Sequence, residues 1–210
     1  MSLTSSTATG DMPLPLRDPD PHTYGDYRGW PDDERFELID GAAYAMAPAP
    51  TRQHQRLVGE LFRVIADALE DGDCEVNVAP FDVRLPDADE ADDRIASVVQ
   101  PDISVVCDPG KLDDKGCRGA PDWIVEVLSP RTAGHDQVRK LALYERHRVR
   151  EYWLVHPVDL VVTIYRLERD GYGRPTVQEL TGQSVSSACP AVEVDWAAVL
   201  DGVPPVADGA

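Results

Sequence analysis

The length, composition and charge of this chain exclude several classes of protein. With 210 residues, 42% of them apolar, it can bury one sizeable core, so a single domain is expected. No run of roughly 18 apolar residues occurs, and the N-terminal segment lacks the basic and apolar parts of a signal peptide, which predicts a cytoplasmic protein with no membrane partner. The formal net charge of −18 disfavours a general electrostatic grip on nucleic acid.

A local group of basic residues could still contact phosphates. Between Arg131 and Arg150, six lysine and arginine side chains stand against two acidic ones. Such a segment is equally typical of a solvated helix face whose basic end suits the helix dipole. Both interpretations are open from the sequence.

The four cysteines are scattered along the chain and form no CxxC pair. Structural zinc sites usually take their ligands from tight pairs, so the sequence predicts buried or free thiols in a reducing compartment. The cysteines are Cys74, Cys107, Cys117 and Cys189.

The chain is expected to divide into an arm, a domain and a tail. Residues 1–30 are rich in Pro, Asp, Ser and Thr without periodicity. This composition predicts a disordered or loosely packed N-terminal arm, whose aromatic residues pack its last part onto the domain. Residues 31–202 are expected to form a single domain, and residues 203–210 a frayed tail.

The domain begins with a predicted β-hairpin. The segment FELIDGAAYAM consists of two β-runs around a turn at Asp40-Gly41. Glu37 lies within the first run. Strand alternation places such a glutamate on the solvent face unless it has a catalytic role.

A helix and a broken strand follow the hairpin. Thr51 fits the N-cap of a helix that runs to about Asp71, and the apolar residues of this helix recur at helical spacing, so it should cover a sheet. His54, in the first turn, is expected to cap the helix or to form a hydrogen bond rather than to bind a metal. Residues 74–85 alternate as strands do, with a break at Pro80.

Two acidic residues mark the centre of the chain. The runs 102–107 and 121–126 are typical of strands, and each carries one carboxylate where a buried strand normally avoids it: Asp102 and Glu126. In an antiparallel hairpin whose paired residue numbers sum to about 228, these two residues face each other, with Cβ atoms about 4.5–5.5 Å apart. Like charges there are destabilising unless a cation or a shared proton lies between them, which predicts a divalent metal site.

The next helix carries a candidate lysine. It is predicted over residues 132–147 or 135–147. Asp136, Lys140 and Tyr144 are spaced by four residues and therefore lie on one face. Three apolar residues are expected to turn inward: Val138, Leu141 and Ala142.

Two apolar strands and a smaller C-terminal region complete the domain. REYWLVHP and VVTIYRL, on either side of Asp159, predict a hairpin. The remaining residues predict one or two edge strands and a short helix around residues 196–200. The same two apolar strands leave room for a homodimer through a sheet edge or a packed face.

The candidate residues suggest a chemistry. Asp102 and Glu126, with the carbonyl of Val127, offer hard oxygen ligands that suit Mg or Mn better than zinc. Such a metal lowers the pKa of a bound water and neutralises charge on a phosphoryl oxygen. A nearby lysine could orient the water or stabilise the transition state. This set of groups is suited to hydrolysis of phosphodiesters.

In their order and spacing, several segments resemble the Uma-two family of restriction endonucleases, within the PD-(D/E)XK nuclease superfamily. They are FELIDG, the helix with His54, QPDISVV, IVEVLSP, the D-x-x-x-K-x-x-x-Y of the next helix, and EYWLVHP. The resemblance covers about residues 35–167. It implies an α/β fold, with a mixed central β-sheet flanked by helices in a restriction-endonuclease-like core, Mg or Mn as the cofactor and DNA as the substrate.

The resemblance also implies roles for single residues. Asp102 matches the motif aspartate and Glu126 the motif acid. The third motif normally reads acid, any residue, lysine, but Leu128 stands in the lysine position. In this family the lysine moves to the following helix, which makes Lys140 the candidate and gives it the role of the base. By the same analogy, Glu37 helps to orient the metal or the water.

The predicted function is therefore a Mg-dependent endonuclease that hydrolyses DNA, with water activated on a metal held by Asp102 and Glu126 and with Lys140 assisting. Since a fold does not determine a function, the alternative is a catalytically idle interaction module that keeps the nuclease fold. A third interpretation leaves both acids as hydrogen-bonded groups at strand ends and pairs Lys140 only with Asp136.

Overall fold

Two β-sheets form the framework of the protein. The computed structural model describes residues 17–18, 20–30, 35–46, 50–129 and 134–204. In these ranges the strands are β1 (Arg17–Asp18), β2 (Phe36–Ile39), β3 (Ala42–Ala45), β4 (Glu75–Val78), β5 (Val83–Arg84), β6 (Val98–Val99), β7 (Ile103–Val106), β8 (Leu112–Asp113), β9 (Gly116–Arg118), β10 (Trp123–Val127), β11 (Glu151–His156), β12 (Val161–Arg166), β13 (Thr176–Glu179), β14 (Gln183–Val185) and β15 (Glu193–Asp195).

Both large sheets are mixed. The seven-stranded sheet has the order β1-β3-β2-β6-β5-β9-β8, and the six-stranded sheet has the order β13-β12-β11-β10-β7-β4. Strands β10 and β11 are parallel, as are β5 and β9, and the other pairs are antiparallel. A separate pair joins β14 to β15.

Few helices accompany the sheets. They are α1 (Tyr24–Tyr27), α2 (Arg52–Leu69), a π-helix (His135–Lys140) that continues directly into α3 (Leu141–Arg146), and α4 (Trp196–Asp201). The mixed α/β architecture with flanking helices agrees with the prediction. Among the helices of the described ranges, none combines the length and the apolar content that crossing a membrane requires.

The predicted antiparallel strand pairs form and the one predicted register is observed, although β8 and β9 of the other sheet lie between β7 and β10 in the chain. Strands β2 and β3 pair around Asp40 and Gly41, which have φ of 52° and 77°, the left-handed values that a two-residue hairpin turn needs. Strands β7 and β10 are antiparallel, with Trp123 opposite Val105. This register continues to place Asp102 opposite Glu126, so the arithmetic that brought the two acids together is confirmed.

The six-stranded sheet is covered on both faces. Leu57, Leu61 and Ile65 of α2 pack with Trp123 and Trp153 on one face, as the helical spacing predicts. Each such side chain contributes about 1.5–3 kcal/mol when fully buried. Alternation along β10 turns its even-numbered residues to the opposite face, where another core cluster forms. That cluster includes Ile124, Leu143, Tyr144, Tyr152 and Leu154.

The buried face of the third helical segment differs from the prediction. Val138 is 67% exposed and Ala142 is also exposed, whereas Leu141 turns inward as predicted, half-buried against the core cluster on this side of the sheet. The first part of this segment is a π-helix, whose wider i→i+5 turn changes which residues share a face. The buried residues of the segment are His135, Asp136, Lys140, Leu143 and Tyr144.

The prediction for the cysteines is wrong for one pair. Cys74 and Cys107 form a disulfide, while Cys117 and Cys189 are free and buried. The pairing of two strands in the six-stranded sheet brings Cys74 and Cys107 together. Strands β4 and β7 are antiparallel with Glu75 opposite Val106, so the next residues of the two strands meet although they are 33 positions apart.

The end of the N-terminal arm packs onto the domain, as its aromatic residues predicted. Thr23 and Asp26 form a capping box on α1, and Tyr24 is buried beside Leu38 and Ile95. Residues 1–16 and 19 of the arm lie outside the described residues, as do residues 205–210 of the tail.

The two strands on which a homodimer was expected are inside the sheet. Strand β11 lies between β10 and β12, and β12 is covered by β13. The expectation of a free edge at β12 is therefore wrong, because a later strand of the same chain pairs with it. A homodimer stays a prediction.

Candidate active site

Four predicted residues meet although they come from four separate elements. Asp102 immediately precedes β7, Glu126 lies in β10, Glu37 lies in β2, and Lys140 ends the π-helix. The Nζ atom of Lys140 is 2.8 Å from Oε1 of Glu126 and 2.8 Å from Oε1 of Glu37. The backbone N–H of Asp102 donates to Oε2 of Glu126 at 3.3 Å.

Asp102 is held by groups on both sides. Its Oδ2 atom accepts a hydrogen bond from the backbone N–H of Val127 at 2.8 Å and lies 3.2 Å from Nε2 of His54. The hydrogen-bonding role predicted for His54 is therefore confirmed. The side chains of Asp102 and His54 are 19% and 12% exposed, whereas Glu126 and Lys140 are almost fully buried. Solvent therefore reaches this group of residues from the Asp102 side.

Lys140 lies among three carboxylates. Besides Glu126 and Glu37, Oδ1 of Asp136 is 3.5 Å from its Nζ atom. A protonated lysine has three N–H donors, so these three contacts use all of them. The interpretation that paired Lys140 only with Asp136 is therefore wrong, since the two closer contacts are with other acids.

Glu37 is buried, not solvent-facing as strand alternation indicated. Its Oε1 atom accepts the backbone N–H of Gln100 at 2.9 Å in addition to Lys140, and its Oε2 atom lies 3.2 Å from Nε2 of His135. The segment 135–140 covers this face of β2. Lys140, the Gln100 N–H and His135 thus replace the water molecules that would solvate an exposed carboxylate.

Sequence reasoning missed His135. It precedes Lys140 by five residues, a spacing that puts two side chains on different faces of an α-helix. In the π-helix, both side chains turn inward toward Glu37. No sequence pattern indicates the π-helix, so the contact of His135 with Glu37 could not be predicted from helical periodicity.

Tyr144 completes the surroundings of Glu126. Its hydroxyl donates to Oε1 of Glu126 at 3.2 Å, on the same oxygen that Lys140 contacts. Asp136, Lys140 and Tyr144 therefore share one face, as their spacing of four predicted. Oε1 of Glu126 is occupied by two donors, while Oε2 faces the Asp102 backbone.

The cluster contains more acids than cations. Burial alone lowers the pKa of Lys140, but the surrounding carboxylates raise it well above its ordinary value. Burial, together with the negative charges of Asp136, Asp102 and Glu37, raises the pKa of Glu126 well above its ordinary value despite Lys140. Without a bound metal, these carboxylates favour the protonated form of Lys140.

Glu37 has the opposite shift. Burial alone raises its pKa, but Lys140 and His135 outweigh burial and lower the pKa to about 2. A carboxyl group whose pKa is lowered by folding stabilises the protein above its unfolded pKa, and this contribution is lost as the pH falls toward the folded pKa.

A Glu37→Gln variant is therefore expected to have a flatter stability profile in acid. Between about pH 6 and pH 3, the wild-type protein should lose about 2 kcal/mol of unfolding free energy more than the variant. Denaturant unfolding at a series of pH values measures this difference. Glu75→Gln, an exposed position in β4, is the control and should follow the wild type. Parallel profiles for Glu37→Gln and wild type would contradict the assigned contacts.

The basic residues of segment 131–150 contact other residues of the same chain. Arg131 lies outside the described residues, and each of the other five basic residues has a partner. Arg139 lies over the ring of Tyr44, Lys140 is in the acidic cluster, Arg146 pairs with Asp40, Arg148 donates to the carbonyls of Glu168 and Arg169, and Arg150 pairs with Asp122. The structural interpretation of this segment is favoured over a free phosphate-binding patch.

Comparisons with known proteins agree with this architecture. The sequence profile of the Uma2 family, described as "Putative restriction endonuclease", matches residues 24–201. An uncharacterized protein of Synechocystis sp. is 28% identical over 139 residues, which cover 66% of this chain and 69% of that protein. The crystal structure of "a putative nuclease belonging to DUF820" from Anabaena variabilis has a TM-score of 0.68 and 18% identity, covering 86% of this chain and 98% of that chain. The structural likeness confirms the restriction-endonuclease-like fold.

Proposed function

Because this chain belongs to the Uma2 family of restriction-endonuclease-like proteins, we propose that it is a metal-dependent endonuclease that hydrolyses phosphodiester bonds of DNA. Family membership supports a nuclease that acts on nucleic acid. One observation carries the finer proposal: Asp102, Glu126, Lys140 and Glu37, from four separate elements, converge on one partly exposed acidic centre. A fold needs no such concentration of buried charge for its stability.

The donors at this centre fit Mg or Mn. Carboxylate oxygens are the ligands that these hard cations prefer, and Asp102 and Glu126 supply them side by side. Three carboxylates surround Lys140, and burial together with the repulsion of the neighbouring acids raises the pKa of Glu126. A divalent cation would offset this excess of negative charge. Asp102, Glu126 and the carbonyl of Val127 are the groups that we propose as its ligands.

When bound, the metal would lower the pKa of a water molecule and neutralise charge on the scissile phosphate. The residues of the chain supply position and charge. The Val127 N–H and His54 fix the orientation of the Asp102 carboxylate. Lys140 and Tyr144 occupy one oxygen of Glu126 and leave the other directed toward Asp102.

Lys140 acts in this proposal as a fixed cation and not as the base. Its raised pKa keeps it protonated, and its contacts with Glu37 and Glu126 hold it in place. Its charge stabilises the additional negative charge that develops on the phosphate in the transition state. Glu37, held by His135 and Gln100, positions Lys140.

His54 contributes on the exposed side of the centre. Burial alone lowers its pKa, but the contact with Asp102 raises it above the ordinary value. The raised pKa favours the protonated imidazole, which lies 3.2 Å from Asp102 on the exposed side of the centre. It therefore helps to attract the DNA backbone to a protein whose net charge is otherwise strongly negative.

Cleavage of supercoiled duplex DNA tests the proposal. The wild-type protein should nick or cut the DNA with Mg²⁺ or Mn²⁺ and lose this activity with a chelator. Glu126→Gln keeps the size of the side chain and its acceptor for Lys140, and it should lower the rate on the order of 10²–10³-fold. Asp122→Asn, which changes a carboxylate just before the other end of β10, is the control and should cut normally.

The alternative is an idle interaction module with the same fold. It predicts that neither duplex DNA, single-stranded DNA nor RNA is cut under any metal condition by protein that is folded and monodisperse. Equal rates for wild type and Glu126→Gln would also reject the proposal, because the cleavage would then come from a contaminant or from another site.

A further inference from the structure

Three cysteine sulfur atoms meet beyond the end of β7 that is remote from Asp102. Cys74 precedes β4, Cys107 follows β7, and Cys189 lies in the connection between β14 and β15. Their sulfur atoms all lie within 4.8 Å of one another, and those of Cys107 and Cys189 are 3.9 Å apart. Residues 102 and 107 are separated by about 17 Å in an extended strand, so this cluster is distinct from the acidic centre.

The segment that carries Cys189 is held firmly in place. Glu151 is fully buried, and its Oε2 atom accepts hydrogen bonds from the hydroxyls of Ser186 and Ser187 and from the backbone N–H of Ala188, at 2.7–3.0 Å. The hydroxyl of Ser186 in turn accepts the N–H of Cys189 at 3.1 Å. A buried carboxylate thus fixes the thiol of Cys189 beside the disulfide.

The three sulfur atoms form a triangle and not a line. In thiol–disulfide exchange, the attacking sulfur approaches in line with the bond that breaks. With Cys189 at 3.9 Å from Cys107, an in-line arrangement would put the outer sulfur atoms about 6 Å apart, given a bond of about 2 Å. All three lie within 4.8 Å, so the arrangement does not suit exchange.

A triangle of this size suits tetrahedral metal coordination. Thiolates bound to zinc at about 2.3 Å in a tetrahedron are about 3.8 Å apart. The Cys107–Cys189 separation of 3.9 Å already matches this value. Only the sulfur of Cys74 has to move away from that of Cys107, which follows once their bond is reduced.

The acidic residues around the three cysteines favour a cation, and an open cavity beside Cys74 gives it access from solvent. Cys74 lines an open cavity of about 390 Å³ whose lining also includes Glu70, Asp73 and Glu75. Asp122 accepts the backbone N–H of Cys107 at 2.8 Å. Water from the cavity can supply a fourth ligand. Burial raises the pKa of the Cys189 thiol to about 11, so binding of a cation must displace its proton.

We propose that, when the Cys74–Cys107 disulfide is reduced, Cys74, Cys107 and Cys189 together bind one thiophilic cation of the Zn²⁺ class. Reduction by a dithiol transfers two electrons and two protons to the two sulfur atoms, and the dithiol leaves as a disulfide. Binding of the cation then releases the thiol protons. Oxidation removes two of the three ligands, so the disulfide and the metal site exclude each other.

Titration with Co²⁺ tests this site. The protein is reduced with a phosphine, because this reagent leaves no thiol that would compete for the metal. The phosphine takes the oxygen of a water molecule and becomes the phosphine oxide, while the two sulfur atoms of the disulfide take up the two hydrogen atoms. Reduced wild-type protein should bind one Co²⁺ with a thiolate-to-cobalt charge-transfer absorption that Zn²⁺ abolishes. Oxidised protein, with the disulfide intact, should show no such absorption.

Matched variants identify the ligands. Cys189→Ser and Cys74→Ser should lose the absorption, while Cys117→Ser, which changes a buried thiol outside the cluster, should keep it. X-ray absorption of the zinc-loaded wild type should show three sulfur ligands, and this measurement does not depend on the folding of any variant. Reduced wild type without the absorption, or zinc with fewer than three sulfur ligands, would overturn the proposal. Asp102→Asn should keep the site, so this test is independent of nuclease activity.

Discussion

Replacing Lys140 by methionine is expected to abolish DNA cleavage and to lower the free energy of unfolding by about 3–5 kcal/mol. The substitution removes the cation that contacts Glu37 and Glu126 at 2.8 Å and leaves these carboxylates buried without it. The acids can regain neutrality only by binding protons. Urea unfolding and a plasmid cleavage assay measure the two effects.

Two further variants separate structure from catalysis. Lys115→Met removes a lysine that is 42% exposed and pairs with Asp92, so it should cost no more than about 1 kcal/mol and leave cleavage intact. The double variant Lys140→Met with Glu126→Gln removes one cation and one buried acid. It should recover part of the lost stability but none of the activity. Cleavage at the wild-type rate by either variant of Lys140 would refute its role as the fixed cation.

Asp102→Asn is expected to reduce cleavage on the order of 10³-fold, equivalent to about 4 kcal/mol of transition-state stabilisation, with little change in stability. The asparagine keeps an oxygen that can accept the N–H of Val127 at the position of Oδ2. The side chain is 19% exposed, so the loss of its charge requires little repacking. The substitution removes the charge that would hold the metal, which is also the charge that faces His54.

The comparison for Asp102→Asn is Asp67→Asn. Asp67 is an aspartate of α2 whose side chain is 70% exposed and which pairs with Arg63. This control should cleave normally. If Asp102→Asn instead lowers the free energy of unfolding by as much as it lowers transition-state stabilisation, the aspartate has a structural role. That result would count against metal binding.

The positions of Asp102 and Glu126 could be predicted because the numbers of facing residues in an antiparallel strand pair have a constant sum. Two apolar runs with one acid each, and one assumed register, were enough to place Asp102 opposite Glu126. The helix part could be predicted only in outline. The spacing of four placed Lys140 and Tyr144 on one face, and the resemblance to a family drew attention to Lys140.

The remaining features depend on tertiary structure that leaves no periodic signal. The π-helix brings His135 to Glu37, and a covering helix buries a glutamate that strand alternation would leave in water. Likewise, the meeting of Cys74, Cys107 and Cys189 results from sheet pairing and from a loop fixed by a buried acid. Sequence distance between cysteines says nothing about either.

Binding of Mn²⁺ to the protein tests the central claim most directly, because it asks about the metal without requiring the right DNA sequence. Titration followed by electron paramagnetic resonance should show one bound Mn²⁺ per oxidised wild-type chain. Asp102→Asn and Glu126→Gln should each abolish this binding, while Cys189→Ser and Asp67→Asn should retain it. Wild-type protein that binds no Mn²⁺, or that binds it equally well after either acid is replaced, would contradict a metal centre at Asp102 and Glu126.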